Sequence, residues 1–357
     1  MTMKQLFIFL NFLMLPIMAQ AQETASSFIK KAIEETKGNA IKYKDGKNGK
    51  ILNDFTTASG EKKVGSFKDE KYFLIKNTTA DYAYLDFGMS GNTEDVCADK
   101  FLRYEIKWED FDSIVGIHTN TTTEESTVQF LILNFIEDQK AEGFSRSCGT
   151  NDFFNPYGKS TNVKNIVIPY LNKKDNKIKL LYAISCRSVE HRICKEFDYI
   201  SEKGKNEVLF KNGAKRTITP QFFFNSNAGF GLASSTYLNI ASDLSSFKFP
   251  MMYTINENSN CANEIYEFSN IDWTKMKNVE DFEEVKENSP IKMLKITFEN
   301  NTIKFDKNKW NDCKNNQSTN LSYVVFPYEN KEGIKDDLIK TINTYKNLLT
   351  RFKEFKP

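Results

Sequence analysis

The sequence has few of the residues that usually carry catalysis. Its 357 residues include only two histidines, His118 and His191, and they lie in unrelated contexts without the His-x-x-x-His spacing of a zinc site. A solitary histidine is more often a packed or surface side chain than a ligand or a base. The chain also lacks the Gly-x-Ser-x-Gly elbow of serine hydrolases and the Asp-Thr/Ser-Gly signature of aspartic proteases.

The charge balance excludes another function class. Lysine and arginine exceed aspartate and glutamate by only two, so no excess of positive charge favours nucleic-acid binding. Residues 229–234 (GFGLAS) imitate part of a dinucleotide loop, but they precede a predicted strand instead of opening a helix. The sequence therefore predicts no cofactor and no nucleic-acid partner.

The N-terminus predicts export. Lys4 is followed by the apolar run of residues 6–18 and by small residues at 19–21 (AQA), the order found in a secretory signal peptide. We therefore predict a signal peptide over residues 1–21 and a periplasmic or extracellular location. No later segment is long and apolar enough to predict a transmembrane helix.

The chain repeats itself at an offset of 158 residues. NVKNIVIPYLNKKDNKIK begins at Asn162, and NLSYVVFPYENKEGIKDD begins at Asn320. Further upstream, CADKFLRYEIKWEDF from Cys97 resembles CANEIYEFSNIDW from Cys261. Matches in the same order at several points predict two homologous units, residues 22–190 and 191–357.

Each unit reads as strands first and a helix last. Short β-branched and aromatic runs such as YAYLDF and VQFLILNF predict strands, and Asn212-Gly213 predicts a two-residue hairpin. An apolar stripe at helical spacing predicts an unbroken helix from Ile334 to near Phe355. The expected fold class is α+β, with two tandem units that are each a mainly antiparallel sheet closed by a C-terminal helix. This order of elements resembles that of pleckstrin-homology-like domains.

Six cysteines in an exported chain suggest disulfides. If the two units are homologous, each should form the same internal bridge, Cys97–Cys148 in the first and Cys261–Cys313 in the second. That leaves Cys186 to pair with Cys194. Zinc bound by this last pair and His191 is an alternative, but zinc normally needs about four ligands.

The Cys186–Cys194 bridge has a structural consequence. Residues eight positions apart in a helix lie about 12 Å apart, whereas a disulfide spans at most about 7 Å between Cα atoms. The first helix is therefore expected to end or bend sharply between these two cysteines.

Two carboxylates recur in both units. Glu105 matches Glu267, and Asp110 matches Asp272. Carboxylate pairs brought together between the units would suit a hydrolase. The simpler interpretation is that they are strand-end and turn features of one repeated scaffold.

The favoured function is an exported, non-catalytic protein that binds an unknown protein, glycan or small-molecule ligand. One alternative is a hydrolase with a site between the units, built from the repeated carboxylates. Another is a structural component of the cell envelope, which an extensive exposed apolar face would favour.

Overall fold

The protein is described here from a computed structural model. The described residues are 24–44, 46, 48–52, 54–56, 62–64, 66–69, 83–92, 97–117, 122–147, 153–154, 161–202, 206–218, 239–240, 243–253, 263–309 and 317–355. The predicted signal peptide, His118, Cys148, Cys261, Cys313 and the glycine-containing residues 229–234 lie outside this set.

The helices are few. The described part of the chain has three α-helices: α1 (Ala25–Glu34), α2 (Asn176–Glu202) and α3 (Ile334–Glu354). Two single 3-10 turns, Trp108–Asp110 and Trp273–Lys275, precede a strand in each half of the chain. None of the described helices is both long and apolar enough to cross a membrane.

Strands make up most of the remaining structure. Those before α2 are β1 (Ala40–Lys42), β2 (Asn48–Leu52), β3 (Asp54–Thr56), β4 (Lys62–Val64), β5 (Ser66–Asp69), β6 (Ala83–Asn92), β7 (Cys97–Ile106), β8 (Phe111–Ile117), β9 (Val128–Ser147), β10 (Phe153–Phe154) and β11 (Thr161–Leu171). Those after α2 are β12 (Glu207–Leu209), β13 (Lys215–Ile218), β14 (Asn239–Ile240), β15 (Phe247–Tyr253), β16 (Asn263–Ser269), β17 (Met276–Asp281), β18 (Ile291–Phe298), β19 (Ile303–Lys309), β20 (Gln317–Leu321) and β21 (Tyr323–Glu329).

The strands before α2 form one main antiparallel sheet. Its path is β1-β2-β6-β7-β9-β10, with β5 paired to β6 and with β8 and β11 paired to β9. Strands β3 and β4 form a separate hairpin. The 20-residue strand β9 pairs with β8 through its first half and with β7 through its second half.

The strands after α2 form two antiparallel sheets. One follows the path β12-β13-β15-β16-β19-β20, with β14 paired to β15, and the other is β17-β18-β21. Strands β18 and β19 are joined by a short turn and pair with different sheets. The predicted mixed α+β class with mostly antiparallel sheets is therefore confirmed.

Several local contacts recur in the two halves of the chain. The Ser126 hydroxyl accepts from the backbone N–H of Lys42 and donates to the carbonyl of Val128. Ser289 has the same arrangement with the N–H of Leu209 and the carbonyl of Ile291.

Further pairs of contacts follow the same pattern. The Asn172 side chain donates to the carbonyl of Glu124, and Asn330, 158 positions later, donates to that of Glu287. Trp108 and Trp273, each in one of the 3-10 turns, are both fully buried. A buried tryptophan typically contributes about 3–5 kcal/mol relative to alanine, so these two rings anchor the cores beneath the turns.

Both Pro-Tyr strands lead into a helix, as predicted. Strand β11 is followed by α2, and β21 is followed by α3. The turns before the helices contain Asp175 at φ 64° and Gly333 at φ 85°, again at the offset of 158. The prediction of an unbroken terminal helix is also confirmed, because α3 runs from Ile334 to Glu354 with Leu338, Ile342, Tyr345, Leu349 and Phe352 buried.

The prediction of a broken first helix is wrong. Helix α2 continues through both cysteines to Glu202, which separates Cys186 and Cys194 by about 12 Å along its axis. They are therefore not bridged to each other, and both are buried thiols. The prediction assumed a Cys186–Cys194 disulfide. In the structure α2 packs as one helix against α1, α3 and the first 3-10 turn, with both cysteines buried.

The predicted boundary between residues 190 and 191 falls inside α2. The first position that divides no described element lies after Glu202, before β12 begins at Glu207.

Cys97–Cys148 and Cys261–Cys313 remain predicted disulfides. Strand β7 begins at Cys97, and Ala98 pairs with Ser147, the residue before Cys148. In the second half Glu264 pairs with Lys309, three residues after Cys261 and four before Cys313. Each bridge would close a loop of about 50 residues, which corresponds to roughly 4 kcal/mol in the chain-entropy model.

Peptide mapping of the unreduced protein should recover these two linkages, with Cys186 and Cys194 alkylated only after unfolding because both thiols are buried. A bridge joining the two halves, or alkylation of Cys186 in the native protein, would contradict this assignment.

Candidate functional site

One cleft in the described part of the chain lies between the two sheets of the second half. Its volume is about 310 Å³, close to the lower end of the range for small-molecule sites. One wall comes from β13, β15, β16 and β19, and the other from β18, β21 and the residues that follow β17.

Six aromatic side chains line the cleft. They are Phe210, Tyr266, Phe268, Phe282, Phe305 and Tyr323. The Phe268 and Phe305 ring centroids lie 4.9 Å apart, and those of Tyr266 and Phe305 lie 5.5 Å apart. Because side chains alternate along a strand, Tyr266 and Phe268 on β16 face the same side, as do Phe305 and Lys307 on β19. The rings of Tyr266, Phe268 and Phe305 therefore lie against one another, and several of the lining rings are partly exposed to solvent.

Polar groups lie at defined points around these rings. An Arg216 Nη1 donates to the Tyr266 hydroxyl at 2.5 Å, and the guanidinium lies 5.0 Å from the Phe210 ring centroid. The Lys307 ammonium lies 5.6 Å from the Tyr266 ring centroid. Glu284, which is exposed, and the amide side chains of Asn212 and Gln317 also line the cleft.

The Asn-Gly hairpin predicted from the sequence positions part of this lining. Strands β12 and β13 pair across it, and Gly213 adopts φ 88°, a conformation that favours glycine. The Asn212 side chain accepts from the N–H of Ala214, which closes the turn. Phe210 and Arg216, on either side of this turn, both line the cleft.

The tyrosine at the matching position in the first half is buried. Tyr104, which the sequence aligns with Tyr266, is buried and lies opposite Ala141 on β9, whereas Tyr266 lies opposite Lys307. Burial raises the pKa of Tyr104 to about 12 despite a hydrogen bond with the backbone of Val167. The first-half tyrosine is therefore a core residue and not a contact for a ligand.

The four repeated carboxylates do not line this cleft. Glu105 forms an ion pair with Lys140 at 3.6 Å, and Glu267 lies opposite Lys248 and Asp306 on the neighbouring strands. Asp110 belongs to the first 3-10 turn. Glu105, Glu267 and Asp110 therefore have local roles in strands and turns.

Asp272 caps the second 3-10 turn. Its carboxylate accepts from the N–H and hydroxyl of Thr274 and lies 3.1 Å from the Lys353 ammonium. Burial acts to raise the pKa of Asp272, but these hydrogen bonds and the Lys353 charge outweigh it and hold the pKa below its ordinary value. Asp272 is therefore an ionised anchor that ties the end of α3 to this turn.

His191 belongs to a buried network between α2 and α3. Arg187 donates to a carboxylate oxygen of Glu190, and its other Nη lies 2.8 Å from His191 Nε2. The Tyr345 hydroxyl on α3 donates to Glu190 at 2.8 Å. Glu109 approaches His191 Nδ1 at 3.8 Å from the first 3-10 turn. Because an arginine can only donate, Nε2 accepts, and the histidine in this arrangement is neutral.

The interior position of this network argues against a catalytic role. Arg187, Glu190, His191 and Tyr345 are each at most 4% exposed. Burial, followed by the Glu190 charge, raises the pKa of Tyr345 well above its ordinary value. Burial also raises the pKa of the Cys186 thiol, so it is not an activated nucleophile. No group of three or more metal-binding side chains occurs within the described ranges.

A second cavity, of about 240 Å³, lies where α1 meets the start of α2. Its lysines include Lys173, whose side chain is 62% exposed and pairs with Glu35 at 3.4 Å. Lys179 is buried there and lies over the Phe28 ring at 4.5 Å. Lys173 therefore lies at the solvated edge of this cavity, whereas the alkyl chain of Lys179 packs against an aromatic ring.

Comparison with known proteins finds no match to this chain among protein-family models, curated proteins or solved structures.

Sequence reasoning missed both the cleft and the helix network. The cleft collects residues from Phe210 to Val325 on several separate strands, so no linear motif marks it. The network had a usable signal, because Arg187, Glu190 and His191 stand at helical spacings of three and four residues.

The network predicts a large stability effect for a single hydroxyl. Tyr345→Phe removes the donor to buried Glu190, so the free energy of unfolding should fall by about 1–3 kcal/mol. Urea denaturation measures this change.

The neighbouring Thr344→Ala is the control. Thr344 is exposed, and its hydroxyl donates only to the carbonyl of Lys340 in the same helix. Its effect should stay within about 0.5 kcal/mol. A Tyr345→Phe variant as stable as this control would show that the hydrogen bond does not hold the helices together.

Proposed function

We propose that this chain is an exported, non-catalytic binding protein that holds a small organic ligand in the aromatic cleft of its second half. The observation that carries the proposal is the set of partly exposed rings enclosing a cavity of about 310 Å³ with polar groups at fixed points. Aromatic rings that are partly exposed to solvent offer apolar surface that a ligand can cover.

The chemistry around the cleft favours binding over catalysis. Glu105, Asp110, Glu267 and Asp272 are absent from its described lining, and Glu284 is the one acidic residue found there. A glycosidase needs two carboxylates about 5–10 Å apart across its substrate. The hydrolase alternative therefore has no observation in its favour within the described residues.

We also propose that the two halves are homologous tandem units. The matched serine, asparagine and tryptophan contacts support this. The strand orders of the main sheets in the two halves are also similar, and Asp175 and Gly333, which precede the helices, are separated by the same 158 residues. Under this proposal the second unit carries the cleft, and Tyr104 of the first unit is a core residue at the position that matches Tyr266. The resemblance to pleckstrin-homology-like domains stays part of the proposal and rests on element order.

Export is proposed from the N-terminal sequence alone, and it agrees with a pair of predicted disulfides. An envelope-forming role would need a broad apolar surface. Among the described residues only Ile136 and Ile178 are large hydrophobic side chains with high exposure, so the binding proposal is preferred.

Filling the cleft tests the proposal. Leu321 lines the cleft and is partly exposed, so Leu321→Trp should occupy the cavity without disturbing the core. The aromatic sulfonate 8-anilinonaphthalene-1-sulfonate is a suitable fluorescent probe. We expect saturable binding at one site in the native protein, weakened by about tenfold or more in the variant, equivalent to about 1.4 kcal/mol.

Asn320→Trp provides the matched control. Asn320 is the preceding residue of β20, is exposed, and faces the other side of the strand. The same large ring placed there should leave probe binding unchanged. Equal binding by the native protein and Leu321→Trp would contradict the cleft as the ligand site.

A further inference from the structure

One ion pair lies between helix α3 and the wall of the cleft. Asp281 is the last residue of β17, and its carboxylate lies 2.6 Å from the Lys335 ammonium in the first turn of α3. The Tyr328 hydroxyl on β21 donates to the same carboxylate at 2.9 Å. Asp281 therefore joins the terminal helix to two strands of the three-stranded sheet.

This three-stranded sheet has one face toward the cleft and the other toward Asp281 and α3. Tyr323 and Val325 of β21 line the cleft. Tyr328 of the same strand is an odd number of positions away, so it faces the opposite side, where it contacts Asp281. Phe282, the residue after Asp281, again lines the cleft. The chain thus passes from the helix side to the cleft side between these two residues.

The residues that follow Asp281 are bonded to both sides of the cleft. The N–H of Phe282 donates to the carbonyl of Met293 at 2.8 Å, and both side chains line the cleft. The carbonyl of Glu284, another lining residue, accepts from the N–H of Lys211 in the Asn-Gly hairpin, also at 2.8 Å. Residues 282–284 therefore connect one wall of the cleft to the hairpin of the other.

Asp281 is ionised at neutral pH. Burial acts to raise its pKa, but hydrogen bonds from Lys335 and Tyr328 and the charges of Lys335 and Lys292 outweigh burial and hold the pKa below its ordinary value. An ionised acceptor forms stronger hydrogen bonds than a neutral one. The Lys335 and Asp281 side chains are 40% and 39% exposed, so solvent screens the pair and its energetic effect is modest.

The position that matches Asp281 in the first half carries no carboxylate. Trp108 and Trp273, which occupy the two 3-10 turns, are 165 residues apart. The same offset places Gly116 at the position of Asp281. The carboxylate therefore occurs in the half of the chain that has the cleft.

We propose that Asp281 is a positioning residue of the cleft and couples the shape of its lining to the position of helix α3. The contacts with Lys335 and Tyr328 hold residues 282–284 in place, and loss of these contacts lets that part of the lining shift. This inference rests on the proposed function and adds a control of the same site from the helix side of the sheet.

Removal of the carboxylate tests the inference. Fluorescence titration of the full chain with 8-anilinonaphthalene-1-sulfonate measures binding, and urea denaturation measures stability. Asp281→Ala should weaken binding by about threefold or more, within the range of a partly screened ion pair. The change of charge alone would act in the opposite direction, because removal of a negative group favours an anionic probe.

Asp272→Ala is the matched control. Asp272 also anchors α3, through Lys353 at 3.1 Å, and its side chain is 40% exposed. It caps the second 3-10 turn and is absent from the described lining of the cleft. Both variants should shift the urea midpoint to lower concentration, but Asp272→Ala should leave the affinity for the probe within about twofold of that of the native protein.

Lys335 gives an independent approach to the same contact. Lys335→Met should weaken probe binding about as much as Asp281→Ala, whereas Lys335→Arg keeps the cation and should bind as the native protein does. Lys353→Met removes the same charge near the other end of α3 and serves as the control. The double variant Asp281→Ala/Lys335→Met has the native net charge and should bind no more weakly than either single variant, as expected for residues that act through one contact.

The outcomes separate the coupling from the binding site. Unchanged binding by Asp281→Ala and Lys335→Met, together with weaker binding by Leu321→Trp, would overturn the coupling and leave the cleft as the site. Equal weakening by Asp272→Ala would also overturn it, because general loosening of α3 would then explain the effect. Absence of saturable binding by the native protein would count against the cleft and against the inference with it.

Discussion

The packing of α2 against α3 depends on buried charges that satisfy one another. Arg187 and Glu190 lie on one face of α2, and Tyr345 of α3 donates to the same carboxylate. Arg187 and Glu190 pair within α2, so the contact that depends on how the helices meet is the hydrogen bond from Tyr345. Leaving a buried hydroxyl without its acceptor is unfavourable, which favours the register that places Tyr345 on Glu190. Helix α2 also contacts α1, the first 3-10 turn and β21, so this register connects the two halves of the chain.

The cleft lies away from this network and has different physical properties. The network is enclosed in the core, whereas the cleft leaves rings and cations partly open to solvent. Fully paired buried groups give rigidity, and incompletely covered rings offer area to a ligand. The two regions therefore suggest a division of roles, with stability in the helix layer and binding between the sheets of the second half.

Much of the fold could be predicted from local patterns. The Asn212-Gly213 hairpin, the strand order around the two Pro-Tyr sequences and the course of α3 follow from turn chemistry and hydrophobic periodicity. The course of α2 could not, because Cys186 and Cys194 were expected to form a disulfide, which a continuous helix does not allow. The cleft could not be predicted from the sequence either, because Arg216, Tyr266 and Lys307 become neighbours only through sheet pairing.

The central proposal is that the second half holds a small organic ligand between its two sheets. A crystal structure of the protein with 8-anilinonaphthalene-1-sulfonate tests this most directly. The rings of this probe should lie in the cleft against Tyr266 and Phe305. A probe bound instead in the cavity between α1 and α2 would contradict the proposal.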